Sequence, residues 1–271
     1  MMMNPPEVKP WEILARLRQQ QPLVHHLTNW VTIYDCAQVV KVLGGSPVMA
    51  HAVLEVMQMA RLAAALVLNI GTLTPDFVSA MILAAREANA KGIPVVLDVC
   101  GAGATRLRDE ESLRLLEKVR IDIIKGNASE IARVSGAAVQ TKGVDAAEVQ
   151  ADLKELAQGL ARQRQAVVVI TGASDIVADA ARLFLVHNGH PLMGRVVGTG
   201  CMATSLIGAF AAVEKDLTLA AAGALACFGV AAEVAAPQAA GPGSFKERLF
   251  DALYNLDEAT LRERLRVEAV S

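Results

Sequence analysis

The chain predicts an α/β fold, with a mostly parallel central sheet, helices on both faces and a β-hairpin at its edge. Three observations carry this. Short apolar runs alternate with helical periods from about Pro22 to Thr171. Runs such as ALVLN, PVVLD and AVVVI have no polar face, as expected of strands buried on both sides. Asn188-Gly189, between apolar residues 184–186 and 192–197, is a two-residue hairpin signal. No repeat, low-complexity stretch or linker interrupts the 271 residues, so 1–271 is expected to form a single domain.

The elements follow in order. Strands are expected at 23–26 (LVHH) and 47–49 (PVM), with a helix over about 34–43 between them, and a buried strand at 65–69 (ALVLN). Thr74-Pro75 then reads as N-cap and first helical residue of a helix that stops at Gly92. Residues 94–98 (PVVLD) form the next strand, and Asp109-Glu110-Glu111 make an acidic start for a helix to about Val119. A strand at 121–124, a long amphipathic helix over 148–164 and a strand at 166–170 complete the alternation. After Cys201 the pattern turns almost wholly helical.

Composition excludes several function classes. A net charge of −2 and a pI near 6.2 give no electrostatic footprint for nucleic acid or an anionic membrane. The mean hydropathy of +0.36 raises the question of membrane insertion. The two longest uncharged stretches, 196–213 and 217–232, are rich in alanine and glycine and read better as buried helices. The N-terminal MMMNPPEVKPWEIL has no apolar core of signal-peptide length. Cys36, Cys100, Cys201 and Cys227 are scattered without a C-x-x-C, which fits a reducing, cytoplasmic setting.

Chemistry gathers at the strand ends. Four apolar strands close on a polar residue with glycine just beyond: Asn69 before Gly71, Asp98 before Gly101, Lys125 before Gly126 and Thr171 before Gly172. In open α/β sheets ligands lie outside the carboxyl ends of the strands, so these endings should line one crevice. Asp98 and Glu130 are candidate oxygen ligands for a hard cation such as Mg²⁺, Lys125 offers a point charge to a phosphate, and Thr171 a hydroxyl. A strand-end turn former and a first-turn helix carboxylate are the ordinary uses of Asp98 and Glu130.

Gly198-Thr199-Gly200-Cys201 stands where a strand pattern gives way to a helix. Successive N–H groups there can converge on an anion, and Cys201 would sit on the first helical turn, where the helix dipole lowers a thiol's pKa. A tight loop ahead of a buried helix with one core cysteine fits the same residues. There is no G-x-x-x-x-G-K-[ST], and both Gly101-x-Gly103 and Gly198-x-Gly200 lack the third glycine of a dinucleotide fingerprint. His25 and His26 are adjacent, point to opposite faces of a strand and make a poor metal pair. His187 and His190, beside the expected turn, are expected in solvent. A thiol hydrolase built on Cys201 lacks any feature that brings a histidine to it.

These segments carry a specific likeness. Pro22-Leu23-Val24-His25 with Thr28-Asn29, Ser46 to His51 (SPVMAH), Ala65 to Leu73 (ALVLNIGTL), Gly101 to Thr105 (GAGAT) and Gly126 to Glu130 (GNASE) are followed by Ile170-Thr171-Gly172, His187 to His190 (HNGH), Gly198 to Cys201 (GTGC) and Gly241 to Phe245 (GPGSF). In this order the chain resembles the hydroxyethylthiazole kinases of the ribokinase-like superfamily. The resemblance implies transfer of the ATP γ-phosphoryl group to the hydroxyl of 4-methyl-5-(2-hydroxyethyl)thiazole, with Mg²⁺, in thiamine biosynthesis and salvage. It also implies a homotrimer with active sites at subunit interfaces. By the family pattern Met49, Gly198 and Asn29 contact the thiazole, and Lys125 and Thr171 contact ATP. Asn127-x-x-Glu130 resembles the superfamily's N-x-x-E element, which organises metal and phosphate. Cys201 takes the place of the superfamily's usual aspartate base.

The chain departs from the family pattern at His26, where Asn is usual, at Val99-Cys100 in place of Pro-Val, at Lys125 in place of Arg, and over 34–38. Another ribokinase-like small-alcohol kinase, an ATP-dependent dehydratase and a non-catalytic thiazole-binding protein are the alternatives. The dehydratases should show aspartate after Gly200, and a silent binder should lose its metal ligands; here Cys201, Asp98 and Glu130 are present.

Overall fold

A computed structural model describes residues 7–136 and 146–270; the first six residues of the N-terminal segment read above lie outside it. The elements run α1 (Pro10–Gln20), β1 (Leu23–Leu27), α2 (Ile33–Leu43), β2 (Ser46–Val48), α3 (Val56–Leu62), β3 (Ala65–Asn69), α4 (Pro75–Lys91) and β4 (Val95–Asp98). They continue with α5 (Arg106–Lys118), β5 (Ile123–Asn127), α6 (Ala128–Ser135), α7 (Ala146–Arg164), β6 (Val167–Thr171), β7 (Asp175–Ala178) and β8 (Leu183–Val186). The chain closes on α8 (Thr199–Ala211), α9 (Leu217–Ala235), α10 (Pro242–Asn255), α11 (Glu258–Arg264) and β9 (Val267–Val270).

The sheet has strand order β2-β1-β3-β4-β5-β6-β7-β8-β9. Strands β1 to β6 pair in parallel, and β6 to β9 are antiparallel. Side chains alternate between two apolar layers. Val67, Val96, Ile123 and Val169 pack against the side holding α1, α2, α8, α9 and α10, whereas Leu66, Leu68, Leu97 and Ile170 face α3 to α7. The expected mostly parallel sheet with helices on both faces is therefore what the chain builds.

Three expected boundaries move, each for a local reason. The helix expected from Asp109 begins at Arg106, because the Thr105 side chain accepts the Arg108 N–H and caps it earlier. The strand expected at 121–124 runs two to three residues later, since Lys125, Gly126 and Asn127 stay in register with Val169, Ile170 and Thr171 of β6. The edge hairpin exists, but it is β7–β8, not a turn at Asn188-Gly189. Asn188 is buried; its amide donates to Glu233 Oε1 at 3.1 Å and to the Arg264 carbonyl at 2.8 Å, and Gly189 N–H donates to Glu233 at 2.9 Å. Tied to α9 in this way, the pair cannot close a two-residue turn, and 191–195 form a 3₁₀ helix where a second strand was expected.

Helix α8 lies against β3 with no room to spare. A Cβ on Gly208 would fall 2.3 Å from Val67 Cγ2, so only glycine permits this approach. The segment Leu217–Gln238 is long and apolar enough to cross a membrane, and 78% of its apolar window is buried inside the protein.

Candidate active site

The carboxyl ends of β1, β3, β4, β5 and β6 and the N-terminus of α8 meet on one side of the sheet. Gly198 caps α8 with φ of 92°, a left-handed conformation, and a Cβ there would lie 2.4 Å from Thr32 Cγ2. The turn thus demands glycine twice over. Thr199 Oγ1 donates to the Met193 carbonyl at 3.0 Å and fixes the start of the helix.

Cys201 sits on the first turn, as expected. Its Sγ receives the Asn29 amide and the Asn69 amide, each at 3.3 Å. Asn29 Nδ2 also donates to Asn69 Oδ1 at 3.1 Å, and Asn29 Oδ1 accepts the Thr32 N–H and hydroxyl, both at 3.1 Å. Asn69 Nδ2 reaches onward to Asp98 Oδ2 at 3.0 Å. That oxygen takes two further donors, Thr204 Oγ1 at 2.7 Å and Lys125 Nζ at 3.2 Å. Six polar side chains, from β3, β4, β5, α8 and the loop after β1, are therefore locked into one network around the thiol.

The electrostatics follow from this crowding. The Cys201 thiol is lowered from its ordinary value, first by the neighbouring Cys100 thiol, with further help from Thr32 and Lys125 against the opposing effects of burial and Asp98. Cys201 in turn, with burial and nearby Asp98, pushes Cys100 up. Burial works to lower Lys125, but Asp98 and then Cys201 outweigh it and hold the ammonium's pKa above its ordinary value. Lys125 is not a solvated strand-end lysine. It is one half of a buried ion pair.

Asp98 Oδ1 is buried and has no hydrogen-bond partner, the one free oxygen in this network. Glu130 lies at the start of α6, where Asn127 Oδ1 accepts the Glu130 N–H at 2.9 Å and Glu130 Oε2 accepts the Asn127 N–H at 2.7 Å. This is a capping box. Glu130 Oε1 accepts the Gly101 N–H at 2.7 Å, so the carboxylate also positions the loop after β4. Its charge acts on both Lys125 and Cys100. Among the described residues no group of three or more His, Cys, Asp or Glu converges into a metal cage.

Beyond Gly200 opens a cavity of about 530 Å³, bordered by Thr171, Asp175, His190, Thr199, Gly200 and Phe228. Its size suits a small-molecule ligand. A Cβ on Gly200 would sit 3.1 Å from Lys125 Nζ, so this glycine separates the cavity from the Cys201 network by the thickness of one backbone. Thr171 Oγ1 donates to the Gly126 carbonyl at 3.4 Å. Burial raises the Asp175 carboxyl to about 6 against the Gly172 N–H and Lys125, which favour its charged form.

Met49 is half-buried just past the edge strand β2, at the same end of the sheet as Asn29. Of the expected site residues, Asn29, Asp98, Lys125 and Cys201 are joined by hydrogen bonds; Thr171, with Gly200, belongs to the cavity; Glu130 acts through the loop; and Met49 stands at the edge. Thr204 and Cys100 enter unforeseen, and Asn69, expected only as a strand end lining the crevice, bridges Cys201 and Asp98. Asn69 and Cys100 carried a visible signal, as polar residues at strand ends. Thr204 is one helical turn after Cys201 and was readable only as helix. The histidines expected in solvent are otherwise engaged: His187 Nδ1 hydrogen-bonds Ser174 Oγ at 2.9 Å, and His190 accepts the Leu192 N–H at 3.2 Å while lining the cavity.

An open, mostly parallel sheet, a glycine-capped helix N-terminus at its carboxyl end and a cavity of small-molecule size beside a carboxylate–lysine pair are the frame of a ribokinase-like small-molecule kinase. The fold recurs in the ADP/ATP-dependent NAD(P)H-hydrate dehydratase of Bacillus subtilis, with a TM-score of 0.60 at 17% identity. The chain belongs to the hydroxyethylthiazole kinase family, whose model matches residues 14–259. It is 51% identical over 255 residues to the hydroxyethylthiazole kinase of Methanosarcina mazei, covering 94% of this chain and 98% of that protein. Against the corresponding Chloroflexus aurantiacus kinase it is 50% identical over 260 residues, 96% of this chain and 97% of that one. The structure of the hydroxyethylthiazole kinase protein from Pyrococcus horikoshii OT3 superposes with a TM-score of 0.89 at 43% identity, covering 97% of this chain and 99% of that chain.

Proposed function

We propose that the protein phosphorylates the hydroxyl of 4-methyl-5-(2-hydroxyethyl)thiazole at the expense of ATP. The observation that carries this reading is Cys201, held by Asn29 and Asn69 at the N-terminus of α8, with the cavity beside Gly200 within reach of the same helix turn. The identity to hydroxyethylthiazole kinases over nearly the whole chain supports it.

In this assignment Lys125 and Thr171 serve the nucleotide, Gly198, Asn29 and Met49 serve the thiazole, and Cys201 receives the alcohol's proton. Phosphoryl transfer passes through a loose transition state, so positioning and charge stabilisation outweigh a strong base, and a thiol can stand where related folds use a carboxylate. The N–H groups opening α8 face the transferring group and steady its charge. Asn29 and Asn69 orient the thiol, and Asp98 keeps Lys125 charged.

The donor set fits Mg²⁺. Asp98 offers a buried, unpartnered oxygen, and Glu130 retains lone pairs beyond its two backbone contacts. Mg²⁺ keeps several waters and is held by one or two carboxylates together with phosphates. When bound, it would neutralise charge on the nucleotide phosphates.

A homotrimer with interfacial sites belongs to the same proposal. Trp30, Val31 and Tyr34 after β1 and Val53 and Leu54 after β2 are exposed, Leu54 to 92%. They flank the open edge of the sheet near Met49, where a second copy would complete the thiazole side. A cytoplasmic setting accords with four unpaired cysteines.

The test is ADP release with hydroxyethylthiazole, hydroxymethylpyrimidine and simple alcohols, with mass spectrometry of the product. Phosphorylation of the thiazole alcohol in preference to the others is expected. A preference for the pyrimidine alcohol would reassign the chain to another small-alcohol kinase. Light scattering of the purified protein should give three copies, reduced by Leu54→Asp.

A further inference from the structure

Arg108, on the first turn of α5, donates to three backbone carbonyls from two different loops. Its Nη1 reaches the Ile70 carbonyl at 3.0 Å and the Cys100 carbonyl at 2.9 Å, and its Nη2 reaches the Gly71 carbonyl at 2.7 Å. These loops follow β3 and β4, whose last residues are Asn69 and Asp98. The guanidinium lies against Gly101, where φ is 80° and a Cβ would fall 2.8 Å from Nη1. Gly101, which serves no dinucleotide fingerprint, thus makes room for an arginine. Gly103 is held from the same helix turn, its N–H donating to Asp109 Oδ1 at 2.7 Å.

Each bonded carbonyl shares a rigid peptide plane with the N–H of the next residue. The Ile70 carbonyl and the Gly71 N–H form one such plane, and that N–H donates to Asn69 Oδ1 at 2.9 Å. The Cys100 carbonyl and the Gly101 N–H form another, and that N–H donates to Glu130 Oε1 at 2.7 Å. A single nitrogen, Nη1, therefore bridges the peptide that orients Asn69 and the peptide that meets Glu130. The Gly71 bond matters because one end of a side-chain amide accepts and the other donates. With Oδ1 occupied by Gly71 and Asn29, Asn69 aims Nδ2 at Cys201 Sγ and Asp98 Oδ2.

We infer that Arg108 is a positioning residue for phosphoryl transfer, which by fixing these two peptide planes sets Asn69 toward Cys201 and Glu130 against the loop after β4. It acts through those two side chains and does not border the cavity beside Gly200. The effect on turnover rests on the kinase reading, but the coupling of Arg108 to Gly71 and Gly101 does not.

The experiment compares Arg108→Ala, Arg108→Lys and Arg18→Ala in the full-length protein, by turnover and by amide hydrogen exchange. Arg18 is the control, because it too donates to three carbonyls, those of Leu253, Tyr254 and Leu256 at the end of α10. Arg108→Ala should lower kcat roughly 10²-fold, the scale of an ångström-sized misplacement, with the KM for ATP unchanged. Millimolar guanidinium chloride, far below denaturing concentrations, should restore part of that kcat. Arg108→Lys keeps the charge but brings one nitrogen to three carbonyls, so its kcat should also fall. Exchange at Gly71 and Gly101 should quicken in both Arg108 variants relative to the amides of β4. Arg18→Ala should lose stability yet keep the wild-type kcat and the wild-type exchange at both glycines. A wild-type kcat in Arg108→Lys would overturn the proposal, since the charge alone would then suffice. So would an equal loss of kcat in Arg18→Ala, or unchanged exchange at Gly71 in the Arg108 variants. If wild type releases no ADP with the thiazole, the kinase reading fails, and exchange at Gly71 and Gly101 still decides the positioning.

Discussion

Asp98 and Lys125 stand opposite each other on neighbouring parallel strands, with Nζ 3.2 Å from Oδ2 and both side chains almost wholly buried. The pair ties the ends of β4 and β5 together directly beneath the start of α8. A buried pair of this kind contributes little compared with two apolar residues, but it is costly to break from one side.

Lys125→Met should therefore destabilise the fold by about 3–5 kcal/mol, because Asp98 is left charged and unpaired. The double variant Lys125→Met with Asp98→Asn should regain much of that loss. Urea unfolding of the three proteins checks this. In kinetics, Lys125→Ala should raise the KM for ATP more than that for the thiazole. Equal changes in the two would remove Lys125 from the nucleotide side.

Glu130→Gln keeps the shape of the side chain but cannot accept both backbone N–H groups with a carboxylate's charge. Turnover should fall roughly 10²-fold, the scale of losing one electrostatic stabiliser. Stability should fall by about 1 kcal/mol, the scale of a weakened helix cap. Thermal unfolding and a Mg²⁺ titration of turnover separate the two losses.

Cys201→Ala should slow the reaction without abolishing it and leave two amide donors facing a void. Cys201→Asp should remain active, since its carboxylate can accept from both Asn29 and Asn69. Mass spectrometry of wild type quenched during turnover should show no phosphorylated cysteine. A trapped covalent adduct would demand a different mechanism.

His26 is wholly buried, and burial lowers its pKa to about 3, with neighbouring His25 and His51 adding to the effect against a bond to the Val24 carbonyl. The unfolded chain, with an ordinary imidazole near 6.5, takes up a proton that the folded chain refuses. Stability is therefore fully present above about pH 6.5 and falls as the pH drops toward 3. His26→Asn should flatten that fall, with little change at pH 8. Denaturation midpoints at several pH values test this.

The parallel sheet was legible because strands such as 65–69 carry no polar face and end on a polar residue. The turn into α8 was legible because two glycines bracket a threonine. Strands β7 and β9 were not, since DIVA and VEAV are four-residue segments whose pairing depends on neighbours distant in the chain. Asn188-Gly189 misled for a related reason: Glu233, far along the chain, claims its hydrogen bonds. At the site, residue types at strand ends could be read, but partnership could not. Nothing in the local sequence shows that Lys125 faces Asp98 or that Thr204 reaches back to it.

Gly208 never approaches the chemistry, yet it determines how low α8 rests on Val67. Cys201 is seven residues up the same helix, about 10 Å along its axis. A relative with every reactive side chain intact but alanine at 208 must raise the helix, and its thiol departs from the amides of Asn29 and Asn69. Whether a distant cousin still works is thus written partly in an absent methyl group, and a comparison restricted to the polar residues would overlook it.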